Sequence, residues 1–308
     1  MRSKKLISVL GIAFLTLLST PTRAQQGPED PDTLWRSGGI INLNIAQVGL
    51  KNWTAGGQNS ISLTGTGSFF THFRKGRTSW KNDLTMAYGL LSQKKDPFIK
   101  NDDEIELFSQ LSRKIDKDLF YSGRIDFRSQ FAPGYAFPEA DSLLRSNFLS
   151  PGYSKGSIGF RYAPEENLEV TLSPLASKMT VVKAQKLAER GAYGVDPGRN
   201  LRYEFGGNLS ASVNKAILPN TRLKSEIGLF SNYLEEPGNI DVNFSLLLNM
   251  KVNSFLTASI STDMIYDDDI MIPVDSDENG IPDKRGPRLQ LKEVVNVGIY
   301  FDLGKANE

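Results

Sequence analysis

The sequence predicts an all-β protein, a transmembrane antiparallel β-barrel of about twelve strands that follows a cleaved signal peptide. Three observations carry that reading. From Gly39 onward, apolar and polar residues alternate with period two in one segment after another, and no extended helical period competes with them. The segments are long, many of them beyond the ~5 to 6 residues usual for a soluble strand. Their connections alternate between tight turns and long turn-rich loops, the asymmetry of a barrel with short periplasmic turns and longer extracellular loops.

The chain begins with Arg2, Lys4 and Lys5, an apolar run over Leu6–Leu18, and the small residues Thr22 and Ala24. This is a signal-peptide pattern, residues 1–24, with cleavage expected after Ala24. The apolar run falls short of the ~20 residues that a membrane anchor helix needs. Residues 25–38 are expected as a periplasmic N-terminal segment, 39–303 as the barrel and 304–308 as a C-terminal tail.

Candidate strands follow in order at 39–48, 58–74, 77–91, 102–116, 118–132, 153–163, 166–177, 199–215, 220–234, 238–252, 254–268 and 288–303. In the second, Ile61, Leu63, Phe69 and Phe73 share one face with Gly65 and Gly67, against Ser62, Thr64, Thr66, His72 and Arg74. Tyr121, Ile125 and Phe127 likewise oppose Arg124, Asp126 and Arg128. Lys75-Gly76-Arg77, Asp116-Lys117-Asp118, Pro164-Glu165 and Asn253 make the tight turns. Long links fall near 49–57, 92–101, 133–152, 178–198 and 269–287, and residues 178–191 are expected to form a short surface helix ended by Gly191.

A soluble β-sandwich would show the same alternation. The barrel is preferred because the polar face carries charge at mid-strand, because tyrosines and tryptophan cluster near strand ends as interface girdles do, and because closure removes exposed edges. The charged set comprises Glu104, Glu106, Arg124, Asp126, Arg128, Arg202, Glu204, Arg222, Lys224 and Glu226. A catalytic carboxylate pair could be drawn from it, but ion pairing across a hydrated lumen is the simpler account, and mixed charge argues against strong ion selectivity.

Composition excludes several functions. The 308 residues include no Cys and one His, which removes disulfides, thiolate metal sites, thiol nucleophiles and any multi-His site in one subunit. A net charge of +1 gives no reason to expect nucleic acid as a partner.

Asn52-Trp53-Thr54-Ala55-Gly56-Gly57-Gln58-Asn59-Ser60, with the later run Gly286-Pro287-Arg288-Leu289-Gln290-Leu291-Lys292-Glu293, resembles an uncharacterised Bacteroidota family of predicted outer-membrane barrels, domain of unknown function 3078. Asn52, Trp53, Gly56, Gly57 and Asn59 form the most specific part. The resemblance implies an outer-membrane location and no reaction. The C-terminus departs from barrels that end on an aromatic residue: Ile299, Tyr300 and Phe301 are followed by Leu303 and five further residues. In the first loop, Gly56 and Gly57 suit a structural turn better than a ligand platform.

Asp275, Asp277, Asn279, the carbonyl of Ile281 and Asp283 stand at calcium-loop positions 1, 3, 5, 7 and 9, with Gly280 at 6. Gly286 occupies position 12 where a bidentate acid belongs, so the expectation is at most a weak structural Ca²⁺, with Asp267, Asp268 and Asp269 as substitute ligands; otherwise the run is an acidic turn, and no cofactor is expected. His72 is the one residue on which a His-dependent hydrolase could rest, and its lumen-facing parity near the periplasmic end disfavours attack on lipid.

The expectation is therefore a non-enzymatic protein of the cell outer membrane, in contact with outer-membrane lipid. It is read as a narrow channel for a small solute or a structural or assembly component. The alternatives are an extracellular-loop binding module and, last, a lipid hydrolase.

Overall fold

The computed structural model describes residues 33–48, 59–93, 97–135, 143–165, 167–274 and 284–303. They form a closed antiparallel barrel of twelve strands. The strands are β1 (Thr33–Val48), β2 (Ser60–Lys75), β3 (Thr78–Gln93), β4 (Ile99–Lys114), β5 (Leu119–Ser129) and β6 (Gly152–Glu165). After them come β7 (Leu168–Val181), β8 (Leu201–Leu218), β9 (Thr221–Asn232), β10 (Ile240–Lys251), β11 (Leu256–Tyr266) and β12 (Gln290–Asp302). Each strand pairs with its sequence neighbours and β12 returns to β1, so the order around the wall is the order along the chain. Two small hairpins, Gly134–Tyr135 with Leu144–Ser146 and Ile272–Val274 with Lys284–Gly286, stand outside the wall.

Burial is inverted relative to a soluble protein. Among the described residues seventeen buried side chains are polar or charged and seven are apolar, and four of the seven (Val182, Leu187, Ala188, Val195) belong to an outer loop rather than the barrel. Meanwhile Leu63, Ile125, Ile158, Leu172, Leu209 and Val295 face outward, the last 73% exposed. A sandwich would bury the apolar parity between its sheets. Here that parity faces away from the interior and polar groups fill the enclosed space, which removes the sandwich reading.

Aromatic rings collect at the ends of the outward face. At the periplasmic end Trp35 packs on Phe73 at 4.9 Å and on Trp80 at 6.3 Å, and Tyr121 on Phe160 at 5.5 Å. At the outer end Phe205 and Tyr233 meet edge to face at 6.3 Å. Tyr300 departs from this girdle: it has the inward parity, and the Lys251 ammonium lies 5.3 Å from its ring.

Two boundaries differ from the sequence reading. The first strand begins at Thr33, not Gly39, because Trp35 is held by Phe73 and Trp80, and Ser37 hydrogen-bonds Thr71 at 3.0 Å. The expected helix over 178–191 is one turn, Gln185–Ala188, and β7 continues to Val181. The cause is a bulge at Ser173-Pro174-Leu175. The register with both neighbouring strands slips there, as it must where proline offers no N–H to the ladder. The slip moves the inward parity from Thr171 and Ser173 to Ala176, Lys178 and Thr180, so simple alternation loses the strand's last turn inward. Gly191 does follow the helix, at φ 64°.

Candidate functional site

The enclosed space is the one place where the fold gathers chemistry. Inward positions on neighbouring strands lie too close for unpaired charge, and the side chains resolve this by pairing along the wall and across it. Near the periplasmic end Lys81 on β3 reaches Glu169 on β7 at 3.3 Å, and Arg161 on β6 meets the same carboxylate at 3.2 Å while covering the Phe120 ring at 4.0 Å.

At mid-height Arg124 on β5 forks onto Asp126 with three contacts of 2.8–2.9 Å and spans to Glu226 on β9 at 2.6 Å. Its guanidinium also lies over Phe108 at 4.7 Å. Nearer the outside, Arg128 holds Glu104 at 2.6 Å and Glu106 at 3.3 Å, and Lys292 on β12 crosses to β4, meeting Asp102 at 3.0 Å and Glu104 at 3.2 Å.

The outer mouth is organised by Lys178. Its ammonium is 2.6 Å from Asp241, 2.6 Å from Asp267 and 3.5 Å from Glu204. Arg202 pairs with Glu204 at 3.0 Å and with Asp269. Above it, Val182, Leu187, Ala188 and Val195 form a small apolar core with Leu144 and Tyr193. The Tyr193 hydroxyl donates to the Arg145 carbonyl, and burial raises its pKa, keeping it a donor.

Of the charges singled out from sequence, the structure brings Glu104, Glu106, Arg124, Asp126, Arg128, Arg202, Glu204 and Glu226 into these clusters. Arg222 and Lys224 stand apart: Arg222 is exposed and donates to Asn214 at 3.1 Å, and Lys224 is exposed with no ion pair among the described residues. Sequence reasoning missed three crossing lysines, Lys81, Lys178 and Lys292. Lys81 shares the inward parity of Asp83. Lys292 shares the parity of Val294 and Asn296 and could have been found by extending the alternation. Lys178 is hidden behind the bulge.

Asn52, Trp53, Gly56 and Gly57 lie outside the described residues; Asn59 is exposed just ahead of β2. Asp275, Asp277, Asn279, Ile281 and Asp283 also lie outside them. The acids suggested as substitute calcium ligands are engaged by the protein itself: Asp267 by Lys178, Asp269 by Arg202, and Asp268 by Asn239 and Tyr266. His72 pairs with Asp83 at 3.0 Å, and among the described residues no hydroxyl is hydrogen-bonded to it.

Closure, an even strand number, short turns on the side of both barrel ends and an inverted interior define an outer-membrane β-barrel protein. The model of a family described as "Protein of unknown function (DUF3078)" matches residues 45–135, which bears out the family resemblance there. Among solved structures the chain is similar to the translocator domain of the autotransporter NalP from Neisseria meningitidis. That match has 11% identity and a TM-score of 0.37, and it covers 96% of this chain and 95% of that one. The chain is also similar to an outer membrane channel from Pseudomonas putida F1, at 11% identity and a TM-score of 0.39 over 87% and 95% of the two chains. A third is an anion-selective porin from Comamonas acidovorans, at 10% identity and a TM-score of 0.31 over 88% and 100%. Comparison with curated proteins finds no match.

Proposed function

We propose that the protein is a narrow passive channel for small polar solutes, embedded in outer-membrane lipid through its apolar exterior. The observation that carries this reading is a lumen lined by polar groups and crossed by ion pairs from β3 to β7, β4 to β12 and β5 to β9. These crossings divide the interior into slender polar passages, which suit water and small solutes and exclude bulky ones. Paired charge of both signs favours weak discrimination between small anions and cations. Planar-bilayer recording of the purified protein tests it: small, regular current steps are expected, and a silent membrane with correctly inserted protein overturns it.

A second reading is favoured by the apolar core of the outer loops, which gives an ordered platform where a bare channel needs none. As an extracellular binding module, the protein would keep its barrel and lose ligand capture when residues 183–199 are replaced by a short linker. On spacing alone, Asp275–Asp283 is proposed as a weak calcium loop, for which calorimetric heat on calcium addition is the test.

A further inference from the structure

The barrel is closed by β1 and β12, and that closure is partial. Ile40 to Asn44 pair with Asp302 to Gly298, and there the ladder stops. Ile45 to Val48 would continue onto Val297 to Val294, but no pairing joins them, although all eight residues lie within strands. The unzipped part belongs to the outer half, because β1 runs outward from the periplasmic end.

The backbone accounting sharpens this. Tyr300 donates its N–H towards β11, at Phe255, and Leu303 towards β1, at Gly39. Even-numbered residues of β12 therefore bond β11, and odd-numbered ones face β1. The N–H and C=O groups of Val295 point into the seam beyond the last pair. An unpaired strand edge is costly in hydrocarbon, so a polar occupant or water belongs beside it.

A cavity of about 360 Å³ sits at this seam. Its lining comes from both faces of the wall: Asn44, Asn101, Asp102, Lys292 and Asn296 from the lumen side, and Ile45, Val295 and Val297 from the lipid-facing side. Glu293, an exposed carboxylate on the outward parity of β12, lines it too. Glu104, beside the cleft, is neutralised by Arg128, so the charged groups that line it are two carboxylates, Asp102 and Glu293, to the one ammonium of Lys292.

We propose that this cleft is a lateral portal between the lumen and the outer leaflet, which accepts a single-chain amphiphile bearing a cationic head. The head sits among Asp102, Glu293 and the amide side chains, and the tail leaves between Ile45 and Val295. The volume suits one small ligand. As a passage the portal rests on the channel reading; as a binding site it stands by itself.

The test uses dodecyltrimethylammonium carrying a diazirine in its tail, with the full mature chain in phospholipid vesicles. Because the protein has no cysteine, Ala46→Cys with Asn296→Cys, which face each other if the ladder is extended, places the only two thiols across the seam. In the reduced protein, photoadducts should concentrate in residues 44–48 and 292–297, and oxidation should cut them by about tenfold. Asn296→Trp, which fills the cleft by bulk, should give the same loss and serves if the disulfide does not form. Equal labelling in open and blocked proteins, or adducts spread evenly around the lipid-facing wall, would falsify the portal. Equal labelling by a dodecyl glucoside of the same tail overturns the cationic preference. Thiol cross-linking between two copies through Val295→Cys would show that a second chain covers the edge, and overturns the amphiphile as occupant. Current through the unsubstituted protein reports separately: no current with seam labelling intact sinks the channel and leaves the binding site.

Discussion

The hairpin of β2 and β3 and the seam of β1 and β12 are built from the same alternation, yet they close differently. Sixteen residue pairs join the first two strands, from Ser60↔Gln93 down to Lys75↔Thr78. Among the described residues, five join the second two. A two-residue turn sets the hairpin's register before any side chain contributes, whereas the seam brings together residues some 260 positions apart and relies on packing alone. The difference teaches that barrel closure is the least determined contact in the wall. It is held at the periplasmic end and open at the outer one.

The largest way to break that comparison is a single methyl group at the last seam pair. A Cβ on Gly298 would lie 2.0 Å from Asn44 Oδ1 and 2.6 Å from the Leu43 carbonyl, so β12 must move away from β1. A Cβ on Gly65, in the continuous wall, meets nothing closer than 3.6 Å. Gly298→Ala should cost about 3 kcal/mol. Gly65→Ala should change stability by less than about 0.5 kcal/mol or improve it slightly. Urea unfolding of both variants in the same micelles checks the contrast, and equal midpoints would refute it.

Next comes the lumen, whose crossings tie strands far from the seam. Arg124→Ala strands Asp126 and Glu226, all three at least seven-tenths buried, and should cost about 2 kcal/mol. It also removes the mid-height crossing from β5 to β9, so unit conductance should rise. If conductance is unchanged, the crossing does not limit passage. Lys178→Met should act at the mouth instead. It leaves Asp241, Asp267 and Glu204 with Arg202 alone, and cation over anion permeability should increase about threefold in reversal-potential measurements.

The alternation made the wall legible because one parity must meet hydrocarbon and the other water, and a period of two survives any loop between strands. Arg124, Asp126 and Arg128 could be assigned inward on that basis, since they occupy successive even positions of an unbroken strand. Their partners could not. Glu226 meets Arg124 only because β5 and β9 approach across the interior, a distance that no local pattern encodes. Lys178 shows a different failure: Pro174 interrupts the ladder, the extra residue reverses parity, and a lysine aimed at three carboxylates reads as part of a surface helix. The incomplete seam does leave a trace, because the outward parity that is apolar at Leu43, Ile45, Val295 and Val297 is broken by Gln47 on β1 and Glu293 on β12, although an isolated polar residue does not by itself mark an open edge.

The smallest effect is expected where the seam strand is best held. Trp35 anchors the start of β1 against Phe73 and Trp80, a ring cluster at the periplasmic rim where aromatic side chains can keep one edge in the apolar layer and the other in the interface. Trp35→Ala removes the ring contacts but no ladder bond, so the loss should be about 1 kcal/mol. It should also be local. Amide exchange is expected to quicken over Arg36–Gly39 and to stay unchanged at Val295 and Val297, because the five pairs from Ile40 to Asn44 separate the anchor from the open cleft. Faster exchange at Val295 in this variant would mean that the periplasmic anchor and the outer seam open together. The five pairs would then be a hinge between them, not a clasp.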